Sequence, residues 1–356
     1  MLNIRINILI LLILIVGCVE PFDFEIEEGQ KRLVVEGRIT NEPGPYKVVL
    51  TETANYSITV DGIPSFVTGA EVFIVDDQEN FEHLVERSKG HYYTSGNEIR
   101  GEIGRSYYIE IILPNGDIYR SEPEEITEPP PIERLYYEFE PGSAINKLGF
   151  YVYLDAIDPS DETNYYKWES ISWWLYTNDC WNQIRDFDPF NIQSDRNING
   201  NKIARKLLKR VPYNSRLPYV ITAEQLSLSA QAFSYLESMN KQAVSAGTMF
   251  DPPPTFLRGN IEHVDNPDKL ALGYFYAAGV TRMEIAIDRT TPETSPISPI
   301  YPLPDPVYCG IPCNYMCVAT GGICGVKPCP PDCNSLPGVT YIPPESWPLP
   351  HERCDE

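Results

Sequence analysis

Apolar and polar residues alternate with a period of two through most of residues 32–120, and no other feature constrains the fold as strongly. Successive side chains of a β-strand point to opposite faces, so this alternation predicts strands with one buried face. Turn-forming sequences such as Glu42–Pro45 and Pro114–Asp117 separate the runs. About seven short strands in ~90 residues are typical of an immunoglobulin-like β-sandwich, which usually serves as a binding or spacer module. The apolar strand positions include Leu33, Val35, Ile39, Tyr46, Val48, Leu50, Ala70, Val72, Ile74, Tyr107, Ile109, Ile111 and Leu113.

The rest of the chain predicts a linker and a second β-rich unit. Residues 121–134 contain five Glu and four Pro, a composition typical of an extended, stiff linker. Residues 135–290 again show strand patterns, interrupted by one clear helix at Ser229–Val244, where apolar residues follow helical spacing and Ser229 can cap the first turn. The expected fold class is therefore mainly β, with an immunoglobulin-like sandwich followed by a second β-rich domain with one helix and a disulfide-rich C-terminal tail.

The N-terminus predicts a lipoprotein signal peptide over residues 1–17. Arg5 precedes the apolar run Ile8–Val16, which is too short to span a bilayer as a mature helix. The run ends in an aliphatic residue, a small residue and then Cys18, which is the order required for lipidation of the cysteine thiol. Cys18 is thus expected to hold the protein on a membrane through acyl chains, a palmitate-type anchor. An ordinary secretory signal and an uncleaved anchor are the alternatives.

Carboxylates dominate the charge of the chain. Residues 18–31 form an acidic tether, and acidic residues directly after a lipidated cysteine resemble the export signal of Bacteroidota surface lipoproteins, which leaves a cell-surface location open. The whole chain has 28 Lys and Arg against 50 Asp and Glu, for a net charge of -22. Because phosphate binding requires a basic surface, nucleic acid is not an expected partner.

Catalytic signatures are absent from the sequence. Ser238–Lys241 matches S-x-x-K, but its companions S-D-N and K-T-G do not occur, and the four histidines are isolated. No pattern nominates a glycosidase-like pair among the abundant carboxylates. We therefore expect no catalytic residues, no cofactor and no metal. Asp195–Gly200 does match the first half of a calcium loop, D-x-N-x-N-G, but Lys206 stands where a bidentate Glu is required, so a hairpin turn is favoured over calcium.

Four tryptophans crowd into the second unit, at Trp168, Trp173, Trp174 and Trp181. Packing in the core and between domains is the ordinary role of such residues, because tryptophan buries a large apolar area. The functional interpretation is a stacking platform for a sugar or a peptide. Trp173, Trp174 and Trp181 are therefore candidate contacts for a partner.

An ordered series of short motifs carries a family resemblance that runs from about residue 18 to the C-terminus. The motifs are Leu33–Gly37, Val67–Val72, Asp158–Pro159, Tyr165–Trp168, Asp195–Asn201, Phe250–Pro254, Arg258–Ile261, Asn266–Asp268 and Leu272–Phe275. The chain resembles the Bacteroidota lipoprotein family of domain of unknown function 4249. The resemblance implies an outer-membrane accessory lipoprotein beside a TonB-dependent receptor, and it implies no catalytic residues.

One of these motifs suggests a further contact residue. The prolines of Phe250–Pro254 predict a rigid, extended segment, because each proline fixes φ and restricts the residue before it. The next segment, Arg258–Asn260, would then carry a guanidinium group next to backbone that can come close to a neighbouring chain segment. We interpret this segment either as a structural crossover packed on the sandwich or as a lip that contacts a partner through Arg258.

Seven of the nine cysteines lie in the Pro-rich tail, residues 291–356. They have no C-x-x-C spacing, so a zinc site is disfavoured, and export predicts disulfides instead. An odd number cannot pair internally, and Cys180 is therefore the expected partner of one of them; the sequence leaves the connectivity open. The predicted disulfide-forming residues are Cys180, Cys309, Cys313, Cys317, Cys324, Cys329, Cys333 and Cys354.

Together these patterns predict a non-catalytic outer-membrane lipoprotein, an accessory or substrate-binding partner of a TonB-dependent transporter. A surface-exposed hydrolase and a structural adhesin are the alternatives. A pocket with converging carboxylates would favour the hydrolase, and a flat, exposed aromatic patch would favour the adhesin.

Overall fold

A computed structural model describes residues 31–53, 65–140, 148–160, 163–177, 180–186, 188, 190–196, 200–213, 219–245, 257–289, 339–340 and 342–346. Within these ranges the chain is mainly β, with two hydrogen-bonded sheets and one helix. The strands of the N-terminal part are β1 (Leu33–Thr40), β2 (Lys47–Glu52), β3 (Ser65–Phe66), β4 (Glu71–Asp76), β5 (Phe81–Ser88), β6 (His91–Tyr93), β7 (Ser106–Ile112), β8 (Ile118–Ser121) and β9 (Glu124–Glu125). The later elements are β10 (Ile132–Glu140), β11 (Gly149–Ile157), β12 (Tyr165–Thr177), β13 (Cys180–Asp186), β14 (Ile192–Ser194), β15 (Lys202–Pro212), β16 (Tyr219–Ser227), α1 (Ala230–Ser245), β17 (Ile261–His263), β18 (Leu272–Ile287) and β19 (Val339–Thr340).

The N-terminal strands form two layers around one core. β1, β2, β3 and β6 make one layer, and β4, β7, β8, β9 and β17 make the other. β5 joins them, because its first half pairs with β4 and its second half with β6. The predicted alternation is confirmed: in β7, Tyr107, Ile109 and Ile111 are buried and contribute to the same core as Val48 and Leu50 of β2.

The C-terminal strands build a second pair of layers. β16, β12 and β13 form a ladder that β19 extends at the β13 edge, while β14 pairs with the start of β12. A three-stranded sheet of β10, β11 and β15 faces this ladder. Phe150, Val152, Leu154, Tyr166 and Trp168 fill the core between the layers, and each of them is fully buried. Trp168 is thus a core residue.

β18 connects the two halves. Its first residues pair in parallel with β1, from Val34↔Leu272 to Thr40↔Ala278. Its remaining residues pair antiparallel with β16, from Ser227↔Gly279 to Tyr219↔Ile287. One continuous strand therefore passes from the first layered unit into the second, and the two halves share a backbone hydrogen-bond network.

The predicted helix is confirmed, shifted by one residue. α1 covers Ala230–Ser245, and the Ser229 hydroxyl accepts a hydrogen bond from the Ala232 backbone N–H at 3.0 Å, which caps the first turn. Phe233 and Leu236 are buried against Leu226 and Val280, so the helix packs on the outer face of the sheet where β18 meets β16. No helix in the described part of the chain is long and apolar enough to cross a membrane.

Residues 121–134, whose composition predicts an extended, stiff linker, contact strands of both halves. Glu124 belongs to β9, which pairs with β7, and its side chain is buried together with that of Ile126. The carbonyls of Thr127 and Pro130 accept hydrogen bonds from Ser227 and Gln225 at 2.6 and 2.8 Å. Proline and glutamate content indicates an extended backbone but carries no information about which strands that backbone lies against.

Candidate functional site

The three tryptophans nominated as partner contacts do not share one face. Trp173 and Trp174 are neighbours in β12 and therefore point to opposite sides of the sheet. Trp173 donates a hydrogen bond from Nε1 to the Thr222 hydroxyl at 3.0 Å. Trp174 instead stacks on Tyr219, with ring centroids 5.9 Å apart and planes 7° apart, and Tyr219 packs against the core between the layers. The strand register places Trp181 on the same face as Trp173.

Arg258 lies far from these tryptophans. It bridges to Leu272 at the start of β18, whereas Trp174 pairs with Tyr219, which in turn pairs with Ile287 at the end of β18. A strand rises about 3.3 Å per residue, so the two positions are separated by roughly 50 Å along β18. The structure therefore presents two distinct locations rather than one combined contact surface.

At Arg258 the structure forms a groove of about 450 Å³ between α1 and residues 257–260. The helix contributes neutral side chains from successive turns, and the opposite wall contributes both charged groups and backbone. The described lining residues are Glu122, Ala230, Gln231, Ser234, Tyr235, Ser238, Leu257, Arg258, Gly259, Asn260 and Tyr274.

Gly259 and Asn260 fix the wall that carries Arg258. A Cβ on Gly259 would lie 1.5 Å from the Gly273 carbonyl oxygen, so only glycine permits this close approach to β18. The buried Asn260 side chain then clamps the segment to Phe275: its Nδ2 donates to the Phe275 carbonyl at 2.7 Å, and its Oδ1 accepts from the Phe275 N–H at 3.0 Å. The Arg-Gly-Asn motif is therefore a crossover held on β18, with Arg258 left 65% exposed at the groove.

Two tyrosines line the groove, and one buried acid lies behind them. The rings of Tyr235 and Tyr274 lie 4.9 Å apart at 34°. Behind them the Tyr274 hydroxyl donates a hydrogen bond to the Glu124 carboxylate. Burial raises the pKa of Glu124 against the opposing effect of the hydroxyls of Ser229 and Tyr274. Burial and the adjacent Glu124 also raise the pKa of Tyr274.

Charge within the groove lies on one wall. Arg258 Nη2 is 2.5 Å from Glu262 Oε1 in an exposed ion pair. The Glu122 backbone N–H donates to the Asn260 carbonyl at 2.9 Å, which places Glu122 on the same wall. The helix wall, with Gln231 and Ser234, carries hydrogen-bonding groups but no charge. The groove can therefore bind a polar ligand without first separating a buried ion pair.

A second polar cluster, which we call the junction network, lies where β18 passes between the two halves. The side chains of Glu169 and Glu224 are each only 2% exposed. Four cationic side chains surround them: Arg38, Lys167, Arg185 and Arg282. Arg185 contacts both carboxylates, and Arg282 also reaches Glu42 at 3.1 Å.

The ionisation of the junction network follows from its pairing. Burial alone would raise the pKa of Glu169, but the charges of Arg38 and Lys167 outweigh it and hold that pKa well below its usual range. The same two cations overcome the effect of burial on Tyr276, whose pKa is lowered. A carboxylate held ionised between several cations is a poor proton donor or acceptor near neutral pH. The network is therefore suited to holding the two halves together rather than to transferring protons.

The sequence did not nominate the junction network. Lys167 and Glu169 alternate with core residues of β12, which would ordinarily indicate a solvent-facing side. The only available signal was the repeated placement of charged residues on apparently half-buried strands, at Arg38, Glu224 and Arg282. No local spacing connects these positions, because they come together only through the strand order.

Several predicted sites lie outside the described residues. Cys18 is among them, as are the tail cysteines Cys309, Cys313, Cys317, Cys324, Cys329, Cys333 and Cys354. Cys180 begins β13, where its backbone pairs with Thr177. Within the described ranges, no three His, Cys, Asp or Glu side chains converge in an arrangement suited to a metal ion.

Over the described residues, the chain is a two-part β-protein in which one long strand joins two layered units and one helix forms a wall of a surface groove. The chain belongs to the family described as Domain of unknown function (DUF4249), whose model matches residues 19–284. No curated protein matches the chain.

Proposed function

We propose that this protein is a non-catalytic outer-membrane lipoprotein that serves as an accessory or substrate-binding partner of a TonB-dependent transporter. The Cys18 context supports the lipid anchor, and the resemblance to outer-membrane accessory lipoproteins is the basis for the proposed location. The groove beside Arg258 is the structural observation that carries the binding role. Concave sites lined by apolar surface with a few convergent polar groups are the usual places where proteins bind ligands.

The groove has the features of a preorganised recognition site. Gly259 and Asn260 fix one wall through backbone contact with β18, and the capped helix α1 fixes the other. Arg258 stands at the rim, where it can contact either a ligand in the groove or a partner that closes over it. Rigid walls reduce the entropy lost on binding, which favours affinity for a defined ligand.

In this proposal the N-terminal layered unit is an immunoglobulin-like sandwich that acts as a spacer between the lipid anchor and the groove. The disulfide-stapled tail, with Cys180 as one partner, adds covalent order to a Pro-rich segment that has little apolar surface of its own. Neither feature requires catalysis.

Co-purification of the intact lipoprotein from membranes under mild detergent tests the partnership. We expect a TonB-dependent barrel protein to be recovered with the wild-type chain. Ser234→Trp places a large ring at an exposed position in the groove and should reduce this recovery if the groove contacts the partner. Val244→Trp is the matched control, because Val244 is 81% exposed on the same helix and does not line the groove. Recovery of no barrel protein with the wild-type chain would refute the partnership.

The anchor has its own test. Cys18→Ala should release the protein from the membrane fraction, because the acyl chains would be its only hold on the bilayer. Fractionation followed by immunoblotting would measure the release. Unchanged membrane retention would show that Cys18 is not the anchor.

The hydrolase alternative has one observation in its favour: burial raises the pKa of Glu124, a carboxyl group that lies behind the tyrosines of the groove. Tyr274 lies against Glu124, and Glu124 itself is not among the described lining residues. Activity on chromogenic glycosides or esters that Glu124→Gln abolishes would establish the hydrolase. The adhesin required a flat aromatic platform, and the opposed directions of Trp173 and Trp174 give it no support.

A further inference from the structure

One buried histidine holds the turn that joins β17 to β18, residues 264–271. His263 is the last residue of β17 and is 8% exposed, whereas the described histidines His83 and His91 are more exposed. Its ring lies edge to face against Tyr119, with centroids 4.9 Å apart and planes 76° apart. The proposed binding role of the groove makes no use of this histidine.

The hydrogen bonds of His263 determine which ring nitrogen carries a proton. Nδ1 accepts hydrogen bonds from the backbone N–H groups of Asp265 and Asn266, both at 3.1 Å. An imidazole nitrogen can accept only when it carries no hydrogen, so the proton of the neutral ring is on Nε2. Nε2 lies 3.2 Å from Asp117 Oδ1, to which it donates. The turn is therefore closed on the neutral form of the histidine.

The same contacts form a closed ring of four residues. Asn266, which donates its N–H to His263, also accepts the Lys269 N–H through its carbonyl at 3.0 Å. The Lys269 ammonium lies 2.6 Å from Asp117 Oδ1, the oxygen that also accepts from His263. Asp117 belongs to the turn between β7 and β8, so the ring fastens one turn of the N-terminal half to another.

The titratable groups that touch this ring keep one ionisation state over the range in which histidine ordinarily changes charge, about pH 5 to 8. Hydrogen bonds from Lys269 and His263 lower the pKa of Asp117 to about 2. The hydrogen bond to Asp117 raises the pKa of Lys269, and burial raises the pKa of Tyr119. The charge of the ring therefore changes in this range only when the histidine takes up a proton.

The other charged side chains on the described elements around His263 do not bond to its ring. Glu262 and Arg120 form the adjacent pair of the β17–β8 ladder and therefore point to the opposite face. Asp265 and Asp268 lie on the turn itself, and both are exposed. Asp117 is thus the carboxylate that the histidine contacts.

A second proton cannot enter the imidazole without breaking the turn. It must bind Nδ1, which would then present an N–H to the two backbone N–H groups whose hydrogen bonds it accepts. Asp117 already pairs with Lys269, so the imidazolium would gain less from this carboxylate than an unshared ion pair offers. Protonation and closure of the turn therefore oppose each other.

The turn leads directly to the wall of the groove. Leu272, the residue that follows the turn, forms an isolated bridge with Arg258. Gly273 comes next, and its carbonyl is the group that Gly259 approaches closely. At the other end, β17 begins directly after Asn260. Both ends of the segment that the histidine holds therefore adjoin the Arg-Gly-Asn wall.

We propose that His263 is an acid-sensitive latch whose protonation opens the turn 264–271 and loosens the wall that carries Arg258. The closed turn binds one proton fewer than the open turn, so the closed population falls as the pH falls. Uptake of one proton changes the ratio of closed to open forms by at most about tenfold for each pH unit. The opening itself does not depend on the proposed transport role, whereas its effect on a ligand rests on the groove being the binding site.

Hydrogen–deuterium exchange of the full-length chain in detergent tests the latch. Protection factors, corrected for the intrinsic effect of pH on exchange, would be compared at about pH 7.5 and about pH 5.5. We expect peptides that cover the turn 264–271 and the wall 257–260 to lose at least about tenfold in protection at the lower pH, while β7 keeps its protection. Unchanged protection of the turn overturns the latch. A wall that stays protected while the turn opens overturns its link to the groove.

His263→Asn separates the latch from general effects of acid. The amide oxygen of asparagine can accept from the N–H groups of the turn as Nδ1 does, but it does not titrate, so this variant should stay closed at both pH values. His83→Asn is the matched control, because His83 is an exposed residue of β5, and it should open in acid as the wild type does. Opening of His263→Asn to the same extent as the wild type would assign the effect to another group and overturn the proposal. The nitrogen NMR shifts of the wild-type ring give a test without any variant: a doubly protonated His263 in the closed turn would also overturn it.

Discussion

Arg38 and Glu169 are 131 residues apart in the chain and form a two-pronged ion pair, with Nη1–Oε1 and Nη2–Oε2 distances of 2.7 and 2.9 Å. Arg38 belongs to β1 in the first half, and Glu169 belongs to β12 in the second. The pair therefore spans the boundary that β18 crosses through its backbone. Side-chain charge and strand pairing join the halves at the same place.

Removal of Arg38 should weaken the whole fold. Arg38→Ala leaves the nearly buried Glu169 carboxylate with fewer cations, and loss of one partner of a buried pair typically costs about 3–5 kcal/mol. Lys167 and Arg185 remain in contact with Glu169, so we expect about 2–3 kcal/mol in the free energy of unfolding, measured by urea denaturation followed by tryptophan fluorescence. Lys31→Ala breaks the exposed pair with Glu52 and should cost less than about 1 kcal/mol. Equal costs for the two variants would rule out a structural role for the junction network.

Because the pKa of Glu169 is lowered, the free energy of unfolding should decrease at acidic pH. A carboxyl group whose pKa is lower in the folded state than its usual 4.5 stabilises the fold while it is ionised. That contribution is complete above the unfolded pKa and is lost as the pH falls below it. Glu169→Gln should therefore destabilise the protein at pH 7 and flatten the dependence of the unfolding free energy on pH between about 3 and 5. Glu262→Gln, which removes one partner of an exposed ion pair, is the control and should cost less than about 1 kcal/mol at pH 7.

The ionisation of Glu124 should change stability with pH in the opposite direction. Its pKa is raised by burial from 4.5, so the folded state favours the protonated form and stability falls as the pH rises above that value. Glu124→Gln retains an acceptor for the Tyr274 hydroxyl and removes the ionisable group. We expect it to be neutral or stabilising at pH 7, with a smaller change in unfolding free energy between pH 5 and pH 7 than the wild type shows. A clear loss of stability at pH 7 would contradict this account.

Local patterns identified the strands and the helix because strand and helix periodicity depend only on residues that are close together in the sequence. The period of two in β7 marked Tyr107, Ile109 and Ile111 as buried, and helical spacing marked α1 to within one residue. Pairing partners are different, because a period of two shows which face is buried but not which strand lies alongside. The passage of β18 from β1 to β16 depends on such partners, and so does the burial of Glu124 in a segment that composition describes as a linker.

The same limit applies to the candidate site. Sequence reasoning found Arg258 and the Arg-Gly-Asn wall, but it could not place α1 opposite that wall, because the segment between them carries no contact information. It also grouped Trp173 with Trp174, although adjacent residues of a strand must face opposite sides. Clustering in sequence is thus a poor guide to clustering on a surface when the residues occupy one strand.

Gly259 offers the sharpest test of how the groove is built. Gly259→Ala would place a Cβ 1.5 Å from the Gly273 carbonyl oxygen, so the wall that carries Arg258 must move away from β18. We expect a loss of at least about 2 kcal/mol in the free energy of unfolding, together with reduced recovery of the groove's partner by the folded fraction. Gly116→Ala is the matched control: its φ is 88° and no atom lies within 4 Å of the added Cβ, so only the backbone strain of about 1–2 kcal/mol applies. Partner recovery unchanged in Gly259→Ala but reduced in Gly116→Ala would show that the close approach at Gly259 does not shape the binding site.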